Sequence, residues 1–190
     1  MTTLEWCAAA LILANIILAT RRSVWNFPVA IVAVSLYAVI FWQTKLYSMA
    51  GLQVFFVAIN IYGWQAWIKQ KADSGDVSVR FLTLRQKLSW AAASAGAVAA
   101  WGTIMQTLVG GPFPYSDAAG AMLSVIAQLL MVWRYVENWA WWIAVNIISV
   151  VLFMESELYI SSGLYMINWI LAVYGLIRWS RDASRQAKAV

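Results

Sequence analysis

Long apolar stretches separated by short polar ones run the length of the chain. Seven can be drawn, at 4–20, 25–43, 47–68, 88–109, 118–133, 139–154 and 158–179. A helix needs roughly 20 apolar residues to cross hydrocarbon. The shortest of these stretches alone would pass for buried core helices, but seven in succession predict a multispan membrane protein. The first has an acid at Glu5 and no basic n-region, so it is expected to be a retained helix rather than a cleaved leader. The longest polar stretch, 70–86, reads as a linker, and Gly110-Gly111-Pro112-Phe113-Pro114 reads as a helix stop.

Charge gives the spans a direction. Cytoplasmic loops carry the excess of Lys and Arg. With the N-terminus outside, the inner set is Arg21, Arg22, Lys69, Lys71, Arg80, Arg85, Lys87, Arg134, Arg178, Arg181, Arg185 and Lys188, twelve of the thirteen bases. Only Lys45 falls outside. The expectation is therefore a multi-pass protein of the cell (inner) membrane, N-terminus out and C-terminus in the cytoplasm.

The chain also repeats itself. Lys45-Leu46-Tyr47 through Gly51-Leu52 answers to Glu157-Leu158-Tyr159 through Gly163-Leu164 at an offset of 112, and the same offset pairs Tyr62-Gly63 with Tyr174-Gly175 and Trp67 with Trp179. Earlier matches drift: Trp25 with Trp139 and Ser35 with Ser149 at 114, Arg21 with Arg134 and Ala14-Asn15 with Ala127-Gln128 at 113. Helices one to three thus resemble helices five to seven. A single helix between two triplets makes both enter the membrane in the same direction, an arrangement of transporters whose substrate lies near the midplane between the halves. The expected fold is an all-α membrane protein of seven transmembrane helices, two parallel three-helix repeats joined by a linker helix (3+1+3). Its divisions are 1–69, 70–110 for linker and helix four, 111–180, and a basic tail at 181–190. Ala92, Gly96 and Ala100 give helix four a small-residue face suited to close packing.

Composition narrows the chemistry. The chain is 63% hydrophobic and 11% charged, against about 45–50% and 25% in soluble domains, so the surplus faces lipid. Histidine is absent and Cys7 is the only cysteine, which excludes His-based acid–base catalysis, Ser–His and Cys–His dyads, disulfides and Cys/His zinc sites. No phosphate loop of the Gly-x-x-x-x-Gly-Lys-Ser/Thr type is present. No enzyme activity, cofactor, metal or nucleic-acid partner is expected.

Polar side chains within spans are rare and tend to face a cavity. Helix three carries Gln53, Asn60, Trp64 and Trp67 on one stripe. Helix five adds Gln128. Helix six carries Trp142, Asn146 and Ser149, and helix seven carries Tyr165 and Asn168 with Trp169 beside them. Gln53, Asn60, Trp64, Gln128, Trp142, Asn146, Tyr165 and Asn168 form the candidate substrate-binding set. The amides offer hydrogen bonds, and the rings offer stacking and attraction to a cation. The alternative for each amide is interhelical glue, as in a membrane scaffold that transports nothing. Trp6, Trp25, Trp90, Trp133 and Trp139 lie near span ends and are expected in the interfacial belt. No carboxylate sits in mid-span, which points away from a proton pump.

The strings Leu52-Gln53-Val54-Phe55-Phe56, Asn60-Ile61-Tyr62-Gly63-Trp64-Gln65-Ala66-Trp67, Arg134-Tyr135-Val136-Glu137-Asn138-Trp139 and Trp142 with Asn146-Ile147-Ile148-Ser149 resemble the PnuC-type vitamin transporter family, kin of the SWEET sugar transporters. The resemblance covers about 22–179. It implies the 3+1+3 fold and uptake of nicotinamide riboside, an NAD precursor, by facilitated diffusion, with trapping through phosphorylation by a separate cytoplasmic kinase. Relatives carry thiamine, another flat aromatic cation, so the substrate stays open between the two. The implied partners are that small molecule, the bilayer and the kinase, and assembly into a homo-oligomer is left open.

Overall fold

The computed structural model describes residues 3–43, 47–108, 114–155, 157 and 159–188. Seven α-helices appear among them: α1 (Thr3–Thr20), α2 (Asn26–Gln43), α3 (Tyr47–Ser74), α4 (Leu84–Leu108), α5 (Pro114–Val132), α6 (Asn138–Glu155) and α7 (Tyr159–Lys188). Each coincides with one predicted segment. The polar residues from Lys69 to Ser74 extend α3 instead of opening a linker, and α7 likewise runs past its apolar part to Lys188. The glycine–proline stop before Pro114 lies outside the described residues. Among those described, α4, α5, α6 and α7 are long and apolar enough to cross a membrane, and Trp6–Thr20 and Asn26–Ile40 are shorter apolar helical stretches.

The chain divides after Ser78 into two compact units. In the first, α1 packs on α2 and α2 on α3. In the second, α4, α5, α6 and α7 pack in succession.

The helix ends are built by local hydrogen bonds. At the end of α1, Arg22 N–H donates to the Ala19 carbonyl (3.0 Å) and Ser23 N–H to the Leu18 carbonyl (3.0 Å). Arg22 has φ 56°. This is a Schellman cap with Arg in the left-handed position glycine normally takes. The end of α5 repeats it: Arg134 at φ 64° donates to Met131 (2.9 Å) and Tyr135 to Leu130 (2.9 Å). The turns that follow also match. Asn26 Nδ2 donates to the Ser23 carbonyl at 2.6 Å, and Asn138 Nδ2 to the Tyr135 carbonyl at 2.7 Å. The next residue meets the lower end of the third helix edge-on: Phe27 against Trp67 at 4.9 Å and 88°, Trp139 against Trp179 at 5.6 Å and 89°.

Every one of these equivalences has the offset 112. The drift to 113 and 114 expected from sequence is therefore corrected. Arg22, not Arg21, answers to Arg134, and Phe27, not Trp25, answers to Trp139, because the same backbone cap sets the register at both turns. Trp139 is also not an interfacial residue: its side chain is buried on Trp179. Trp6 and Trp25 are exposed, whereas Trp90 and Trp133 are half-buried with their rings 6.0 Å apart.

The segment between α3 and α4 is held down rather than loose. Gly75, at φ 76°, ends α3. In the first unit, Arg22 Nη1 binds Asp76 Oδ2 at 2.9 Å and the Val77 carbonyl at 2.6 Å. In the second, Arg80 exchanges backbone bonds with Arg134 and Val136 at 3.0 Å each, and its guanidinium lies 4.6 Å from the Tyr135 ring. Val79 N–H donates to Gln186. Glu137 accepts from Leu82 N–H at 3.0 Å and pairs with Lys87 at 2.9 Å. Thr83 and Gln86 cap α4 reciprocally. The small face of α4 differs from expectation: Ala92, Gly96 and Ala100 are exposed. Its packed positions are Ser94 and Gly102, since Trp141 Nε1 seeks the Ser94 hydroxyl (2.8 Å) and the Tyr115 ring leaves no room for a Cβ at residue 102.

The same close approach governs α7. A Cβ on Gly175 would stand 2.6 Å from the Trp139 ring, whereas one on Gly163 meets nothing within 4 Å. Gly175→Ala is expected to cost about 1–3 kcal/mol through overpacking, read as a lower melting temperature of the detergent-solubilised protein. Gly163→Ala should hold or raise it. Equal behaviour of the two variants would contradict the packing described.

A candidate substrate site and the family it belongs to

In the first unit, α3 carries three candidates. Asn60 is buried and donates to the Phe56 carbonyl at 2.7 Å. Gln53 and Trp64 are half-buried. Trp67, on the same stripe, is fully buried against Phe27 and is core.

The second unit holds the rest. Gln128 on α5, Asn146 and Ser149 on α6 and Asn168 on α7 are all buried. Trp142 is half-buried, yet among the described residues its shielded indole N–H meets no acceptor and the side-chain oxygen of Asn168 meets no donor. Tyr165 is half-buried with its ring 5.2 Å from that of Phe153. Trp169 turns elsewhere, into an open apolar groove with Ile147, Val150, Val151 and Met166. An unpaired polar group shielded from water is costly, about 1–3 kcal/mol. The donor of Trp142 and the acceptor of Asn168 are open to a polar solute, although the indole N–H groups of Trp139 and Trp169 are likewise unpartnered among the described residues.

Applying the 112 offset to the candidates gives an unequal result. Gln53 answers to Tyr165, both candidates. Trp142, Asn146 and Asn168 answer to Ala30, Val34 and Phe56, and Asn60 answers to Ala172. The turns and aromatic pairs are shared, but the polar side chains mostly are not. Ser35, matched to Ser149 by sequence, is exposed.

Sequence reading missed Asn26 and Asn138. Both are buried to about 1% or less, and each leaves an amide oxygen without a partner among the described residues. Their signal was the constant offset of 112, which the drifting matches obscured. Among the described residues no cluster of His, Cys, Asp and Glu is suited to a metal ion.

The family described as nicotinamide mononucleotide transporter matches residues 2–181. The chain belongs to this transporter family. A relative from Escherichia coli (strain K12), the nicotinamide riboside transporter PnuC, is 32% identical across 95% of this chain and 87% of its own length. The transporter of the same name from Neisseria mucosa is 30% identical across 88% and 68%. The riboflavin/roseoflavin transporter RibM of Streptomyces davaonensis is 29% identical across 94% and 84%. A crystal structure of the vitamin B3 transporter PnuC matches 96% of this chain and 82% of its own with a TM-score of 0.77 at 27% identity. Family membership makes this all-helical chain a multi-pass membrane transporter, not an enzyme.

Trp139 and Trp142 should respond differently to truncation. Trp139→Ala empties a packed aromatic site and is expected to cost about 3–5 kcal/mol. Trp142→Phe removes an unpaired donor and should leave ligand-free stability unchanged or raised. Thermal melts of the purified variants without ligand check this, and a large loss in Trp142→Phe would mean that its N–H is already satisfied.

Proposed function

We propose that the chain imports nicotinamide riboside by facilitated diffusion and that a cytoplasmic kinase traps it by phosphorylation. The observation that carries this reading is the 32% identity to the E. coli nicotinamide riboside transporter PnuC over nearly the whole chain. Physical chemistry supports the nucleoside over the nucleotide. A phosphate monoester carries about −1.5 to −2 charges at neutral pH, and no Lys or Arg lies in the middle of an apolar stretch to receive it. Nicotinamide riboside is a flat pyridinium cation with hydroxyls and a carboxamide. Rings attract the cation, and the amides of Gln53, Asn60, Gln128, Asn146 and Asn168 suit the hydroxyls and carboxamide, with Trp64, Trp142 and Tyr165 as the aromatic surface. Without a mid-span carboxylate there is no group for proton coupling. A cation entering a negative-inside cell gains about 2.3 kcal/mol per 100 mV, and phosphorylation makes it a species the route does not accept.

The proposed architecture is the 3+1+3 arrangement, with 1–69 and 111–180 as parallel repeats, 70–110 as the connection and 181–190 as a basic tail. It sits in the inner membrane with the N-terminus outside. The matching caps, amides and aromatic pairs at offset 112 support the repeat, and the distribution of bases supports the orientation. A second reading, favoured by likeness to a riboflavin transporter, is a different flat vitamin, thiamine included.

Radiolabelled uptake in a host lacking its own carrier and supplied with riboside kinase tests the substrate. Saturable nicotinamide riboside uptake is expected, lowered about tenfold or more in Asn60→Leu and Asn146→Leu, a loss of about 1.4 kcal/mol or more each. Uptake of thiamine alone would transfer the site to the second reading. Uptake of neither, with no saturable tryptophan quenching by either, would favour a scaffold.

Orientation has its own check. In a Cys7→Ser background, Ser184→Cys on the exposed flank of the α7 extension should react with a membrane-impermeant maleimide only after cells are permeabilised. Labelling of intact cells would reverse the topology.

A further inference from the structure

The outward face of α7 changes character along one line. Ile167, Ile170 and Tyr174 are about half exposed, at 46%, 55% and 51%. Steps of three and four residues, which keep side chains on one side of a helix, lead from them to Arg178, Arg181, Arg185 and Lys188. The last three are exposed. The opposite side of the same extension is packed: Trp179 and Ala183 are buried, and Gln186 holds the backbone of Val79. The extension is thus fixed to the body of its unit, with its basic side turned out. At the junction, Arg178 Nη1 donates to the Tyr174 hydroxyl at 3.4 Å, the Tyr–Arg pairing expected where an apolar span reaches the headgroup level. Asp182 lies beside the stripe and is half-buried.

We infer that this stripe is a docking surface for anionic lipid headgroups of the leaflet at the α7 C-terminus. Two features select that occupant. The stripe continues the exposed face of Ile167, Ile170 and Tyr174, which in a membrane span turns toward acyl chains, so what lies beyond it is the headgroup layer of the same lipids. Its four bases carry the charge complementary to phosphate esters, and clusters of four or more bases just past a span are the sequence form of anionic-lipid recognition. A rigid helix presenting them at regular spacing pre-organises the contact, unlike a flexible basic tail. Because α7 is packed along α6 and bears Tyr165 and Asn168, bound lipid steadies the helix that carries part of the proposed site.

The inference rests on the reading of α7 as a membrane span, and the test is chosen to be independent of orientation. The full chain is placed in nanodiscs of mixed phosphatidylcholine and phosphatidylglycerol, alike in both leaflets. Native mass spectrometry then reads which lipid is retained. The wild type is expected to enrich phosphatidylglycerol over the bulk ratio by roughly tenfold, less at high salt. The variant Arg178→Gln/Arg181→Gln/Arg185→Gln/Lys188→Gln should fall to the bulk ratio, and the variant Arg178→Lys/Arg181→Lys/Arg185→Lys should keep the enrichment. Enrichment unchanged by neutralisation overturns the inference. So does its absence in the wild type, which would leave the stripe to a soluble acidic partner. Should the fourfold neutralised variant not fold, the single variants Arg181→Gln, Arg185→Gln and Lys188→Gln at these exposed positions replace it: each should lower the enrichment, and enrichment unchanged in all three overturns the inference.

Discussion

Hydrocarbon offers no hydrogen bonds, and that constraint organises this protein. Backbone polar groups must be satisfied within the chain, which leaves the helix as the available element. Where helices stop, the groups left over are met by specific devices. The Schellman caps at Arg22 and Arg134 satisfy the last carbonyls of α1 and α5. Glu137 holds both the Leu82 backbone and the Lys87 ammonium. Inside the helices, an amide or indole that nothing answers is costly. Asn60 finds a carbonyl one turn back, and Trp141 finds Ser94. Trp142 and Asn168 find nothing in the described chain. They are therefore the most informative members of the candidate set.

The repeat separates scaffold from function. Cap, buried Asn and edge-on aromatic pair recur in both units with little change, because each solves the same local problem of turning the chain and seating one helix end on another. The polar side chains diverge, Asn146 against Val34 and Asn168 against Phe56. A carried solute such as a pyridinium riboside has a charged ring at one end and a sugar at the other. A site for it has no reason to be symmetric even when the frame is.

The fold was legible in the sequence to a large degree, since apolar length and basic punctuation follow directly from the solvent. All seven helices fall where the apolar runs placed them. What the sequence obscured were features set by three-dimensional fit. The register of the repeat was hidden because Trp25 and Trp139 share a residue type, while the structural partner of Trp139 is Phe27. The exposed small face of α4 looked like a packing face because its spacing is right, but Tyr115 and Trp141 reach other positions. The polar extension of α3 looked like a linker because helices leaving the membrane lose their apolar signature while keeping their hydrogen bonds. For the site, sequence supplied residue types and stripes. Which amides are already satisfied depends on neighbours that only the fold specifies.

The central claim is passive, saturable carriage of a flat cationic vitamin by this chain alone. Counterflow with the purified protein in proteoliposomes tests it most directly. Vesicles preloaded with unlabelled nicotinamide riboside should transiently accumulate external labelled nicotinamide riboside, equally with and without sodium or a pH gradient. Accumulation that appears only with an imposed ion gradient, or no counterflow at all, would contradict the account.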